Sequence, residues 1–281
     1  MRPHHWLKNS LCFCGMAFSN SIVNSQTIAQ SIIVFVCFCI TSSIVYIVND
    51  IIDRNKDSAH PKKCKRPIAS GKISVLSALM LIIFLSVICI ALSKYINAKS
   101  ITCIEVYLIL NVLYTAILKK VFLIDVFCIG FGFALRTVSG IYCINESPTV
   151  WIITCVFFLT TLIGFGKRKS ELNIVTKETL TRDVLREYKG KIVDFCIYIT
   201  ACLTVFNYIM FTIFSQKNVS LILTIPFVLY GIFYYLKILH STNYCEEPEK
   251  LLIRSKPLFF CLITWLFAYF IIVKSNISIF I

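Results

Sequence analysis

Long apolar runs separated by short polar stretches follow one another along the whole chain. Nine such runs are present, near residues 10–23, 28–49, 73–93, 101–118, 122–144, 150–166, 191–214, 218–240 and 257–275. Most approach the ~20 apolar residues that a helix needs to cross the hydrocarbon of a membrane, although the first is short and the sixth is interrupted by glycines. The pattern predicts an all-α, polytopic membrane protein in which nine transmembrane helices form one domain over residues 1–281.

The composition supports this class. Of the 281 residues, 58% are hydrophobic, and the mean hydropathy is +0.80. A soluble domain of this length could not bury so much apolar surface. The 14 cysteines lie mostly within the apolar runs, where cysteine packs as a small apolar residue. No CxxC occurs and only Cys64 and Cys245 lie in the predicted cytoplasmic loops, so we expect no zinc site, and no disulfides on the reducing side.

The basic residues are distributed very unequally between the two sides of the predicted bundle. Of the 28 Lys and Arg residues, 23 fall on the side of the N-terminus, four fall on the opposite side, and Arg136 lies within a span. Because cytoplasmic loops carry the excess of Lys and Arg, we expect a cytoplasmic N-terminus and a location in the plasma membrane. The net charge of +14 then suits anionic lipid or a phosphorylated substrate. No soluble module is present to bind nucleic acid.

An acidic cluster follows the second apolar run in the stretch VNDIIDRNKD. It consists of Asn49, Asp50, Asp53 and Asp57, and these spacings place the three aspartates on one face of a helix. Convergent carboxylates next to basic residues suit Mg²⁺ that carries a phosphate-rich ligand, so we predict these four residues as metal ligands and the aspartates as catalytic. The alternative is a solvated helix end in the headgroup region.

Cations near the cluster and at other span ends are candidates for phosphate binding. Lys65 and Arg66 follow the cluster in the basic loop PKKCKRPIASGK. The further candidates for substrate binding are Lys8, Asn49, Tyr114, Lys119, Asp125, Arg136, Lys167, Arg168 and Glu171. Because Arg136 is deep in an apolar run, it requires an anion or an acidic partner. A structural ion pair and a contact with bound phosphate both stay open for it.

Several of these stretches resemble one known family. NDIIDRNKD fits the NDxxDxxxD motif of the UbiA-type superfamily of intramembrane prenyltransferases, and the RPxxWLKN stretch, the Tyr…LK pair and nine spans agree with it. The chain resembles most closely the branch of decaprenyl-phosphate phosphoribosyltransferases. The residues that carry this closer resemblance are Arg2-Pro3, Trp6 to Asn9, His60-Pro61, Lys65 to Ala69, Leu135-Arg136, Gly140, Gly166 to Arg168, Glu171 and Glu247-Pro248-Glu249.

The resemblance implies a UbiA-like bundle and a specific reaction. The expected activity is Mg²⁺-dependent transfer of 5-phosphoribosyl from phosphoribosyl diphosphate to a polyprenyl phosphate, with release of diphosphate. Ordinary members carry a second aspartate-rich motif in the loop after the sixth span, whereas this chain has GKRKSEL there. A loop that has fewer carboxylates and more cations than the usual motif suits a ligand that carries more phosphate groups.

Two other functions stay open at this point. In a conventional prenyltransferase, the same aspartates would bind a prenyl diphosphate whose polyprenyl group moves to an aromatic or other acceptor. A transporter of an anionic solute would have broken helices around a site at the membrane midplane, whereas most charges here lie on one side. The sequence leaves the oligomeric state open, and a homo-oligomer is one alternative.

Overall fold

The computed structural model describes residues 3–18, 24–59, 63–174, 188, 190–214, 219–241, 251 and 254–274. Within these ranges the chain forms helices and no strand. The α-helices are α1 (Cys14–Phe18), α2 (Ser25–Ile52), α3 (Arg54–Ser58), α4 (Val75–Ser93), α5 (Ala98–Ala116), α6 (Ile124–Tyr142), α7 (Val150–Ile174), α8 (Gly190–Phe214), α9 (Ile225–Ser241) and α10 (Lys256–Lys274). The 3₁₀ segments are Pro3–Phe13, Lys63–Lys65, Leu118–Lys120 and Val219–Thr224.

Among the described residues, eight helices are long and apolar enough to cross a membrane. They coincide with the second to ninth predicted runs, so the all-helical, multi-pass class is confirmed. The first predicted span, 10–23, lies partly outside the described residues, and its described part joins the end of a 3₁₀ segment to the short helix α1. The count of nine spans, the single domain and the cytoplasmic N-terminus therefore stay predictions.

Three of the long helices begin at a polar residue whose side chain caps the first turn. Asn24 and Thr27 form a reciprocal capping box at the start of α2, with the Thr27 amide donating to Asn24 Oδ1 at 2.8 Å. The Ser74 hydroxyl accepts from an amide of the first turn of α4, and Asn97 does the same for α5. Such caps satisfy amide groups that lack a partner within the helix, and they set where each helix begins.

The first compact unit comprises Met1–Ile117 and Leu135–Ser147. Its central element is α2, which packs against the 3₁₀ segment Pro3–Phe13, α4 and α5. Phe38 of α2 is fully buried, and its ring meets the Tyr107 ring edge-on at 5.3 Å between centroids. The long α2 thereby holds its last turn, which carries the acidic cluster, in a fixed position within this unit.

The second compact unit comprises Leu118–Ala134 and Pro148–Ile281. Here α7 packs along α8, and α9 packs against α10. The core of this unit includes Val126, Leu162, Phe165, Ile197 and Tyr235. Leu162 and Phe165 belong to α7 and come just before its GKRKSEL stretch, so that stretch begins in a packed interior.

Two glycines in the first unit allow a very close backbone approach. A Cβ atom added to Gly140 of α6 would lie 2.0 Å from the carbonyl oxygen of Cys12, and one added to Gly15 would lie 2.0 Å from the carbonyl oxygen of Gly140. Contacts this short with backbone cannot be relieved by a side-chain rotation. Only glycine therefore fits where the backbone of α6 crosses the backbone near Cys12 and Gly15.

We expect Gly140→Ala to destabilise the protein by about 1–3 kcal/mol or more, because overpacking against backbone forces the helices apart. Gly190→Ala is the matched control, since a Cβ atom there meets nothing within 4 Å. Thermal unfolding in detergent should show a lowered midpoint for the Gly140 variant and an unchanged or slightly raised one for the control. Equal midpoints would contradict the close crossing.

Candidate functional site

The acidic cluster lies where α2 ends and α3 begins, in the first unit. Asp53 stands between the two helices, with its amide bonded to the carbonyl of Asn49 at 2.9 Å and its carbonyl bonded to the amide of Asp57 at 2.8 Å. These bonds continue the helical spacing through the junction. As a result, Asp50 and Asp57, two turns apart, direct their carboxylates to one side.

Arg66 joins these two carboxylates. Its Nη1 atom lies 3.1 Å from Asp50 Oδ1 and also donates to Asp57 Oδ2. The side chain of Arg66 is 25% exposed, that of Asp50 16% and that of Asp57 5%. The structure thus brings together three residues that the sequence predicts as site residues, at a boundary between packed interior and solvent.

The loop after α3 is folded so that Arg66 reaches the cluster. The Arg66 amide bonds back to the carbonyl of Lys63 at 2.9 Å, and its carbonyl accepts from the Ser70 amide at 2.8 Å. Ile68 is buried in an apolar cluster with Ile44 and Ile47 of α2. One apolar anchor and two backbone bonds therefore hold the loop, whereas the neighbouring Lys65 is exposed.

The donor set of this cluster fits Mg²⁺. Within the described parts of the chain, no group of three or more His, Cys, Asp or Glu residues is arranged to hold a metal ion. Mg²⁺, however, is usually bound by one or two carboxylates together with substrate phosphates, and Asp50 and Asp57 converge on one cationic nitrogen atom. Asn49 directly precedes Asp50 in the last turn of α2, and Asp53 caps that helix between Asp50 and Asp57.

A buried ionic network occupies the second unit. Arg168 of α7 donates from Nε to Asp125 Oδ2 at 2.8 Å and from Nη1 to Glu171 Oε2 at 2.7 Å. Asp125 and Arg168 are 0% and 1% exposed. These three residues, all predicted to bind substrate, are thus bonded to one another.

Tyr188 completes this network and is not singled out by the sequence. Its hydroxyl donates to Asp125 and accepts from the amide of Leu123 at 3.2 Å. Burial raises the pKa of Tyr188 well above its ordinary value, and the hydrogen bond to Asp125 and the charge of Asp125 raise it further, so the hydroxyl stays a donor. Its ring packs edge-on against Phe122 and Phe165, and the charge pattern of the stretch gave no signal of these contacts.

Arg136 belongs to a different buried group, in the first unit. Its Nε atom donates to Asn9 Oδ1 and its Nη2 atom to the Tyr107 hydroxyl, each at 2.7 Å. The guanidinium also lies over the Tyr107 ring, 4.5 Å from its centroid, a favourable placement for a cation. The sequence leaves an ion pair and a bound phosphate open for Arg136 and anticipates neither of these two partners.

The remaining predicted residues divide between the units. Lys8, in the 3₁₀ segment Pro3–Phe13, and Tyr114, near the end of α5, lie in the first unit. Lys119, in the 3₁₀ segment Leu118–Lys120, and Lys167, one residue before Arg168, lie in the second. The stretch 177–191, interpreted from sequence as either a surface lid or a solvated helix, lies outside the described residues except for 188 and 190–191.

Comparison with known proteins gives consistent matches. The model of the UbiA prenyltransferase family matches residues 10–263. A decaprenyl-phosphate phosphoribosyltransferase of Mycolicibacterium smegmatis is 25% identical over 95% of this chain and 88% of that protein. The enzyme of the same name from Corynebacterium glutamicum is 32% identical over 61% of this chain and 53% of that protein.

A solved structure shows the same fold. The UbiA homolog from Archaeoglobus fulgidus bound to DMAPP and Mg²⁺ superposes with a TM-score of 0.72 at 18% identity, covering 95% of this chain and 96% of that one. At this identity the likeness concerns the fold alone.

We expect Arg168→Gln to lower the free energy of unfolding by about 3–5 kcal/mol, because it leaves the fully buried Asp125 without its ionic partner. Lys169→Gln is the matched control, since the bond of Lys169 to Asp194 is partly exposed and such pairs contribute about 0–1 kcal/mol. Unfolding by SDS titration measures the difference. A stable Arg168 variant that lost only substrate affinity would instead assign Arg168 to the ligand.

Proposed function

We propose that this chain, which belongs to the UbiA prenyltransferase family, transfers 5-phosphoribosyl from phosphoribosyl diphosphate to a polyprenyl phosphate. Binding of a metal ion and the diphosphate at the acidic cluster is supported by one observation: Asp50 and Asp57 converge on a single cationic atom, Nη1 of Arg66. The choice of donor is supported by the basic GKRKSEL stretch and by relatives named decaprenyl-phosphate phosphoribosyltransferase that span the chain.

Asp50 and Asp57, with Asp53 and Asn49 as the further ligands expected from the sequence, would hold Mg²⁺ on the diphosphate of the donor. When bound, Mg²⁺ would act as a Lewis acid and neutralise the charge that develops on the departing diphosphate. The bond from ribose C1 to the diphosphate breaks, and an oxygen of the polyprenyl phosphate forms the new bond to C1. Because that oxygen is already anionic, none of the residues has to act as a strong general base.

The cations of the chain hold the phosphates in this proposal. Arg66 and Lys65 are next to the carboxylate cluster in the first unit, and Lys167 is in the second. A guanidinium can bind phosphate through two parallel hydrogen bonds, whereas lysine acts as a point charge. Since Arg168 is enclosed by carboxylates, we assign phosphate binding in the GKRKSEL stretch to Lys167 before Arg168.

The protein is a multi-pass membrane protein, and we propose that the reaction occurs at the cytoplasmic face of the plasma membrane. The unequal distribution of Lys and Arg supports that orientation. Phosphoribosyl diphosphate is water-soluble and would reach the acidic cluster from the cytoplasm, while the polyprenyl chain stays in the bilayer.

The direct test uses purified protein, Mg²⁺, a polyprenyl phosphate and labelled phosphoribosyl diphosphate. We expect label to enter the organic phase only when the metal and the lipid are both present, and EDTA to stop the transfer. No transfer, combined with consumption of a polyprenyl diphosphate in the presence of an aromatic acceptor, would assign the chain to conventional prenyl transfer.

We expect Asp53→Asn to reduce the transfer rate by about a hundredfold or more, because a metal ion contributes several kcal/mol of transition-state stabilisation. Glu105→Gln is the matched control, since Glu105 is an exposed acid in the middle of α5 and the change is chemically the same. Initial rates with both variants at equal folded concentration test this. Full turnover by the Asp53 variant would contradict the metal role.

A further inference from the structure

Arg66 is bonded to the same carboxylates that we assign to Mg²⁺. One atom, Nη1, contacts both Asp50 and Asp57. We infer that Arg66 and the divalent ion compete for these two carboxylates. When the metal–diphosphate complex binds, the guanidinium of Arg66 exchanges its hydrogen bonds to the carboxylates for hydrogen bonds to the diphosphate. This inference rests on the proposed function only for the presence of a diphosphate in the donor.

The competition follows from charge and geometry. A guanidinium nitrogen and a metal ion both require the oxygen atoms of Asp50 and Asp57, and their positive charges repel each other at short distance. A metal ion that arrives alone must break both bonds of Arg66 and leave the guanidinium without those acceptors. Binding of the free ion is therefore weakened by Arg66.

The diphosphate removes this penalty. Its anionic oxygens accept parallel hydrogen bonds from a guanidinium, so Arg66 exchanges two carboxylates for a phosphate group when metal and diphosphate enter together. Each ligand then binds more tightly in the presence of the other, and the coupling is reciprocal. The site takes up its metal with the donor rather than before it.

The local structure permits such an exchange. The backbone of Arg66 is held by its bonds to Lys63 and Ser70, and Ile68 anchors the loop in the apolar cluster. The side chain is 25% exposed and is not enclosed. Rotations within the side chain alone can therefore move the guanidinium, without refolding of the loop.

The test measures binding rather than turnover. Mn²⁺ replaces Mg²⁺ so that free ion can be counted by electron paramagnetic resonance, and inorganic pyrophosphate represents the diphosphate. We expect Arg66→Gln to tighten binding of Mn²⁺ alone by about tenfold, as the loss of competing bonds worth roughly 1.4 kcal/mol would do. At saturating Mn²⁺, the same variant should bind labelled pyrophosphate at least about tenfold more weakly.

Arg54→Gln is the matched control, because Arg54 is an exposed residue of α3 beside the cluster and loses the same charge. It should leave both affinities within about twofold of the unaltered protein, since exposed charges are screened. Adding Asp57→Asn to the Arg66 variant should abolish the gain in Mn²⁺ affinity, which locates the gain at this cluster.

Unchanged or weakened Mn²⁺ binding by Arg66→Gln would overturn the inference and show that Arg66 positions the carboxylates. Equal gains in the Arg54 and Arg66 variants would overturn it too, since the effect would then come from net charge. Opposite shifts for Mn²⁺ and pyrophosphate support it even if phosphoribosyl transfer is absent, because neither probe contains ribose or lipid.

Discussion

Ionised side chains in the helical interior of this protein are stable only beside fixed partners, and this constraint shapes the buried ionic groups that the structure describes. Removing a charge from water costs several kcal/mol even after relaxation. Arg168 meets that cost with Asp125 and Glu171, and the buried Arg136 meets it with hydrogen bonds to Asn9 and Tyr107. The helices therefore have to pack so that these partner side chains lie within bonding distance of one another.

The same requirement governs uncharged polar residues. In α2, the hydroxyl of Thr41 donates to the carbonyl of Cys37 and that of Ser43 to the carbonyl of Cys39, each at 2.8 Å. Bonds to the preceding turn satisfy a hydroxyl without a partner helix, so these residues are tolerated in a buried face. The helix can then run without interruption from its cap at Asn24 to the acidic cluster.

What the sequence predicts well is local. Apolar run length predicts the membrane helices. The spacing of seven residues between Asp50 and Asp57 agrees with their shared contact to Arg66, because helical geometry brings such positions to one face, whereas the place of Asp53 on that face stays a prediction. The contacts of Arg168 with Asp125 and of Arg136 with Asn9 join residues 43 and 127 positions apart. They depend on which helices pack together, and periodicity contains no information about that. Tyr188 enters the network through the same packing.

The difference in exposure between the two arginine pairs separates their roles. Arg168 and Asp125 are 1% and 0% exposed, and breaking such a pair would cost about 3–5 kcal/mol. The binding free energy of few ligands would exceed that cost, so the pair is a permanent part of the fold. Arg66 is 25% exposed, so solvent screens its bonds to Asp50 and Asp57 more strongly than it screens those of Arg168, and they are the weaker of the two groups. A weak pair is easily exchanged, which makes the Asp50–Arg66–Asp57 group, rather than the Asp125–Arg168 group, suited to binding and releasing a charged substrate.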